Sequence, residues 1–286
     1  MARTNECLVG RARRIKQKTM TTGAVIFAFN NEQTDYVKMA AWNADRIRRH
    51  LNIPVAVVTN CTDHAQLIKF DQVIHADPAS GGTRYFDDYK ETITWYNTGR
   101  TDAYSLTPWD QTLVLDADYV VCSNELRNVL DMPQDFACHR LAWDVTAINQ
   151  FEGLNYFGQN KFPMWWATVM MFRKGNTAQY IFDCMNMVKQ NWTHYRDLYH
   201  MQGPNYRNDY ALSIALGIVS GHTLKVHDIP WSLASVLPEH VLSQIDTDHF
   251  EIKYQDQGQP KKIDWHSMDF HAMGKKHLGD IIANSV

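Results

Sequence analysis

The sequence predicts an α/β fold, an open and mostly parallel sheet flanked by helices, and three observations predict it. Two near-continuous apolar runs of strand length, "AVIFAFN" (24 to 30) and "IPVAVVTN" (53 to 60), read as central strands buried on both faces. Between them, "EQTDYVKMAAWNADRIRRHLN" places Val37, Ala41, Ala44, Ile47 and Leu51 at three- or four-residue steps, the spacing of one helical face. Apolar strands then recur at "TLVLDADYVV" (112 to 121) and "WATVMMFRKG" (166 to 175), separated by helical and loop patterns.

Taken in order, Met20 directly precedes the first strand, and Thr34 or Asp35 can cap the first helix. "FDQVIHAD" (70 to 77) predicts a third, shorter strand. "PASGGTRYFDDYKE" reads as a loop centred on Gly81 and Gly82, followed by a polar helix over roughly 92 to 106. The stretch from about 139 to 165 is rich in aromatics, Asn and Gly without clear periodicity, the pattern of a long functional loop. "NTAQYIFDCMNMVKQNW" predicts a helix burying Tyr180, Ile181, Cys184, Met185, Val188 and Trp192, and "NDYALSIALGIV" (208 to 219) predicts another. Beyond Pro238 the pattern turns irregular. With no internal repeat or low-complexity linker, the expected organisation is a flexible basic extension over 1 to 19 and one domain over 20 to 286.

A chain of 286 residues that is 45% hydrophobic belongs to the globular class. Its net charge of −3 excludes the global basic field of many nucleic-acid binders. Two local basic stretches, "RARRIKQK" (11 to 18) and "DRIRRH" (45 to 50), read first as a frayed tail and a solvated helix face. No run approaches the roughly 20 apolar residues of a membrane span, and the first residues lack a signal-peptide core, so the expected location is cytoplasmic. Cys7, Cys61, Cys122, Cys138 and Cys184 are odd in number and scattered, which suits reduced thiols.

The chemistry concentrates in "LVLDADYVV" (113 to 121), where Asp116 and Asp118 end an apolar strand. In a strand they share a face and repel each other unless something positive sits between them. Separately solvated turn or cap residues are the ordinary explanation. The sharper one is a metal site, since open α/β sheets bind ligands at the carboxyl ends of their strands. Paired carboxylates suit Mg²⁺ or Mn²⁺. The C-terminal "HAMGKK" adds His271 as a nitrogen ligand and Gly274 for close backbone approach to a phosphate. Lys275 or Lys276 can neutralise charge on a leaving diphosphate.

With these motifs the chain resembles the GT-A class of nucleotide-sugar glycosyltransferases, and within it the glycogenin-like, metal-dependent branch, over roughly 22 to 280. Asp116 and Asp118 match the family's D-x-D, and His271, Gly274 and Lys276 match its H-x-x-G-x-K. Arg100 matches a basic residue ahead of the D-x-D, and Asp209 in "RNDYAL" an acidic residue ahead of a late helix. Trp166 departs from the pattern, standing where family members often carry Asn, and "KKHL" replaces Lys-Pro-Trp.

The resemblance implies a GT-A-like domain with a Rossmann-like nucleotide-binding half and an acceptor half. Its donor would be a nucleoside-diphosphate sugar, a UDP-sugar first, with Mn²⁺ or Mg²⁺ held by Asp116, Asp118 and His271. Phe29, Asn30, Thr59 and Asn60 would meet the base or ribose. Arg100, Gly274, Lys275 and Lys276 would meet the diphosphate, and Asp209 would act as a base or stabilise a sugar cation. Overall similarity to glycosyltransferases of large tailed phages implies hydroxymethylcytosine in phage DNA as an acceptor. Arg11, Arg13, Arg14, Lys16, Lys18, Arg46, Arg48 and Arg49 would then contact phosphates, and Trp143, Tyr156, Trp165 and Trp166 would wall a flipped base.

A small-molecule, saccharide or protein acceptor is the alternative. A haloacid-dehalogenase-type phosphatase also fits "LVLDADYV", although that motif normally opens its domain and about ninety residues precede it here. A non-catalytic sugar- or nucleic-acid-binding module is a third reading, against which the intact Asp116, Asp118 and His271 speak.

Overall fold

The apolar runs become the middle of a six-stranded sheet in the order Gln72–His75, Val55–Thr59, Thr22–Phe27, Gln111–Leu115, Trp166–Arg173, Phe136–His139. The computed structural model describes residues 20–78, 82–86, 89–96, 99–147, 155–203, 205–222 and 228–284; the basic extension over 1–19 and Gly81 lie outside them. The first three pairings are parallel and the last two antiparallel, so the sheet is mostly parallel with one reversed strand, Trp166–Arg173, next to the Phe136–His139 edge. Val55–Thr59 and Gln111–Leu115 are buried along their whole length, which is why their sequences show no alternation. Helices flank the sheet, and Asn208–Ser220 packs against both Asn176–Gln190 and the Trp166–Arg173 strand.

The first helix, Tyr36–Leu51, starts where the Asp35 carboxylate accepts the Lys38 N–H at 2.9 Å. Val37, Ala41, Ala44, Ile47 and Leu51 are all buried, as their spacing predicts. The helix ends at Asn52, whose φ of 53° is the left-handed conformation common after a last turn.

Several local expectations are corrected. The polar stretch read as a helix over 92 to 106 is a hairpin, Thr83–Phe86 against Glu91–Thr94, followed by a 3₁₀ turn Gly99–Asp102 and the short helix Ala103–Leu106. Thr92, Ile93 and Thr94 are β-branched and stiff, which favours the strand. The irregular-looking segment after Pro238 is a three-stranded antiparallel sheet, Val241–Ile245, His249–Asp256 and Gln259–His266. Its second hairpin turns through Gln257 and Gly258, both at positive φ as a tight two-residue turn requires. Within the stretch read as a long loop lie the short strands Ala142–Asp144, Tyr156–Phe157 and Phe162–Pro163, while 148–154 fall outside the described residues. Tyr180, expected in the core, is 54% exposed.

A second sheet orders Tyr119–Val120, Phe270–Ala272, Leu233–Val236 and Ala142–Asp144 side by side. It joins the central sheet through the turn that contains Asp116 and Asp118. Cys61, Cys122, Cys138 and Cys184 are free thiols, and Cys7 lies outside the described residues. No described helix is long and apolar enough to cross a membrane.

Within the cluster Arg46, Arg48, Arg49 the solvated-face reading holds for the exposed Arg49 and in part for Arg48, but not for Arg46. Arg46 is buried, donates to the carbonyls of Val121, Asp246 and Thr247 at 2.7 Å each, and lies 4.8 Å from the Trp42 ring. Arg48 pairs with Asp71 at 3.0 Å and Asp45 at 3.2 Å, and Arg49 donates to Thr247 Oγ1 at 2.8 Å. Arg46 and Arg49 fasten the first helix to the 246–247 turn of the three-stranded sheet, while Arg48 ties it to Asp71. Arg46→Met therefore lowers stability by about 2 kcal/mol in urea unfolding, because carbonyls lose a charged donor. An unchanged unfolding midpoint and slope would show the strap to be energetically idle.

Candidate active site

Asp116 follows the Gln111–Leu115 strand, where its N–H donates to the Thr168 carbonyl at 3.0 Å. The Tyr119 N–H donates back to the Asp116 carbonyl at 3.1 Å, closing a turn that carries the chain into the second sheet. The Asp118 carbonyl accepts the Ala272 N–H at 2.9 Å, which anchors the Phe270–Ala272 strand beside the turn. His271 thereby joins the two aspartates. One candidate ligand atom from each of Asp116, Asp118 and His271 lies within 4.8 Å of the others, and all three residues are buried.

Two cations answer the repulsion between the aspartates. The Arg100 guanidinium contacts the Asp116 carboxylate and donates to the Ala167 carbonyl at 3.0 Å. The Lys275 ammonium contacts the Asp118 carboxylate and donates to the Ala272 carbonyl at 3.0 Å. His271 Nε2 stands 3.6 Å from Asp118 Oδ1. Burial alone would raise the Asp118 carboxyl, but Lys275 and then His271 hold it well below the usual carboxylate range. Burial also dominates at His271 and lowers it despite Asp118, leaving the neutral imidazole that coordinates metals. Its Nδ1 is buried and has no hydrogen-bond partner among the described residues. Two carboxylates and a neutral imidazole nitrogen fit Mn²⁺ or Mg²⁺ in ligand type.

Asp209 sits in the first turn of the Asn208–Ser220 helix. Its Oδ1 accepts the Ala167 N–H at 2.9 Å and its Oδ2 pairs with Arg207 at 2.8 Å. Burial pushes this carboxyl up, yet Arg207, the Ala167 N–H and Arg100 together hold it below its ordinary value. It is an ionised, fixed group.

Phe29, Arg100, Asp116, Asp118, Asp209, His271 and Lys275 line one cavity of about 140 Å³. The other nominated residues lie elsewhere. Asn30 Oδ1 accepts the Val37 N–H at 2.9 Å and so organises the start of the first helix. Thr59 is fully buried and its hydroxyl accepts the Cys61 N–H at 3.1 Å, while Asn60 is exposed outside the cavity. Gly274 is buried immediately before the C-terminal helix Lys275–Asn284, and Lys276 is exposed on that helix, so Lys275 is the lysine at the site.

Sequence reasoning missed Tyr36, Trp95, Tyr96 and Arg207 on the cavity wall. Only Arg207 carried a local signal, through its position two residues before Asp209. The aromatic wall expected from Trp143, Tyr156, Trp165 and Trp166 does not form. Trp166 lines this cavity and Trp143 another, while Tyr156 and Trp165 flank the Arg140 guanidinium at 5.3 and 6.0 Å.

The fold and this cluster define an α/β protein with a candidate divalent-metal site at the carboxyl end of a central strand. No protein-family model matches the chain, and no curated protein matches it. Among solved structures, it is similar to the galactosyltransferase LgtC in complex with donor and acceptor sugar analogues, at 12% identity over 68% of this chain and 70% of that one, with a TM-score of 0.44. It is also similar to the glycosyltransferase GlyE of Streptococcus pneumoniae, at 11% identity over 73% and 45%, with a TM-score of 0.42. Mouse xyloside xylosyltransferase 1 in its apo form gives 14% identity over 74% and 86%, with a TM-score of 0.44.

Proposed function

We propose that this chain is a glycosyltransferase that moves a sugar from a nucleoside-diphosphate sugar to an acceptor hydroxyl, with Mn²⁺ or Mg²⁺ held by Asp116, Asp118 and His271. The observation that carries the reading is the convergence of those three residues, with Arg100 and Lys275, at the carboxyl end of the Gln111–Leu115 strand. When bound, a divalent ion there supplies Lewis-acid stabilisation of a departing diphosphate. Arg100 and Lys275 bring further positive charge to the same oxygens. Phe29 and Tyr36 offer ring faces for a base, and the ionised Asp209 suits stabilisation of positive charge on the sugar.

Charge balance favours this substrate class. The cations lining the cavity, Arg100, Arg207 and Lys275, match its carboxylates, Asp116, Asp118 and Asp209, one for one. A divalent ion then leaves an excess that a diphosphate neutralises. A phosphatase of the haloacid-dehalogenase type would open its domain with the nucleophilic aspartate, whereas Asp116 follows two complete parallel strands and a helix here. For the acceptor we favour a small-molecule, saccharide or protein hydroxyl. The DNA reading drew on Arg46, Arg48 and Arg49, which are engaged within the fold, and on the arm over 11 to 18, which lies outside the described residues.

With Mn²⁺ present, UDP binds at least about 100-fold more tightly than uridine by calorimetry, because the metal and the cations contact only phosphates. Equal affinities would remove the donor assignment. Incubation with a nucleotide-sugar panel and candidate acceptors, hydroxymethylcytosine DNA included, followed by mass spectrometry, reads sugar and acceptor together. A hexose or pentose adduct on any acceptor supports the transfer reading. Release of phosphate from simple esters, without transfer, overturns it.

A further inference from the structure

A second cavity, of about 390 Å³, lies beside the small sheet and is lined by Tyr119, Glu125, His139, Trp143, Trp231 and Asp269 among others. It is separate from the Asp116–Asp118–His271 cavity and shares no lining residue with it. His139, at the end of the Phe136–His139 strand, is 1% exposed, and neither of its ring nitrogens has a hydrogen-bond partner among the described residues. The Trp231 indole N–H is likewise buried and unpartnered, and the two rings meet edge to face at 6.4 Å. Native proteins rarely leave three buried polar atoms unpaired in one place, because each costs its full desolvation.

We propose that this cavity is a binding site for a neutral saccharide. Its volume falls in the range of small-ligand pockets. No Lys or Arg stands among the described lining residues, so a nucleotide or other phosphorylated ligand would meet no cationic partner among them. A cation suits the aromatic rings and carboxyls but cannot accept the Trp231 N–H. A purely apolar ligand leaves the His139 nitrogens and the Trp231 N–H unmet. Sugar hydroxyls both donate and accept, so one ligand can serve the indole N–H and an imidazole nitrogen together. Burial drops His139 to about 3, so at neutral pH its ring offers one donor and one acceptor. Trp143 and Trp231 supply flat faces for the C–H side of a pyranose.

The site does not depend on the transferase reading, and the test separates the two. Saturation-transfer NMR on the full chain, without nucleotide, uses glucose, galactose, xylose, N-acetylglucosamine, maltose and lactose as probes, with uridine and tetramethylammonium as controls of the other classes. At least one sugar binds with a Kd on the order of 1 mM or tighter. That binding persists in saturating UDP with Mn²⁺ and in Asp118→Asn. Ser232→Phe, which fills the cavity, abolishes it, and Trp231→Phe, which keeps a smaller aromatic face and deletes the N–H, weakens it about tenfold. Circular dichroism checks the fold of both variants, and the competition in the unmodified chain needs neither. The proposal is overturned if no sugar binds, if a control binds instead, if UDP with Mn²⁺ displaces the sugar, or if folded Ser232→Phe binds as before.

Discussion

Asp118→Asn lowers the rate of sugar transfer by about 10²–10³-fold, a loss of ~3–4 kcal/mol of transition-state stabilisation, and excess chelator abolishes turnover of the unmodified chain. Asp118 is the residue to change because its carboxylate is one of three atoms that converge on the candidate metal position, and its carbonyl also fixes the strand that carries His271. The substitution must be to Asn. Like-charge repulsion between Asp116 and Asp118 would make Asp118→Ala benign, even stabilising. The structure reverses that expectation, since Lys275 pairs with Asp118 and would be left largely buried without its carboxylate. Asn keeps an oxygen acceptor for Lys275 while removing the charged ligand. Initial rates at saturating Mn²⁺, with matched circular dichroism spectra, are the measurement. Full activity in excess chelator would dismiss the metal and leave Arg100 and Lys275 to neutralise the diphosphate alone.

How far the sequence carries can be seen residue by residue. Val55–Thr59 and Gln111–Leu115 were legible because a strand buried on both faces must be apolar throughout. The first helix was legible down to its cap, since Asp35 and the buried stripe from Val37 to Leu51 are local signals. Asp116, Asp118 and His271 were visible as residue types, but their meeting was not. It depends on a second sheet whose strands, Tyr119–Val120, Ala142–Asp144, Leu233–Val236 and Phe270–Ala272, are too short for any period to register. The same holds for Tyr36, Trp95 and Tyr96, which come from separate segments and form a wall only in three dimensions. Arg46 misled for a different reason. Its neighbours Arg48 and Arg49 made it look solvated, whereas its partners Asp246 and Thr247 lie some two hundred positions away.

His139 carries the second large effect, a dependence of stability on pH. Its folded-state value is about 3 against an ordinary 6.5, with burial as the cause. The sign follows from where protons bind. As pH falls below 6.5 the unfolded chain protonates this ring and the folded chain does not, so stability falls by about 1.4 kcal/mol per pH unit until about 3. Asp269 runs the opposite way. Burial first, and Glu125 next, raise its carboxyl from 3.8 to about 8, so its contribution is lost as pH rises between those values. The two slopes oppose each other between about pH 4 and 6.5, and the unmodified chain can look nearly flat while both act. His139→Phe isolates one of them. It keeps the ring's bulk, removes the titration, and deletes two nitrogens that have no partner to lose, so at neutral pH it costs little stability. Urea unfolding of both chains at pH 7 and at about pH 4.5 should show the variant gaining on the unmodified chain by about 2.5 kcal/mol at the lower pH. A gap that stays constant with pH would mean that the His139 ring takes up its proton in the folded state as readily as in the unfolded one.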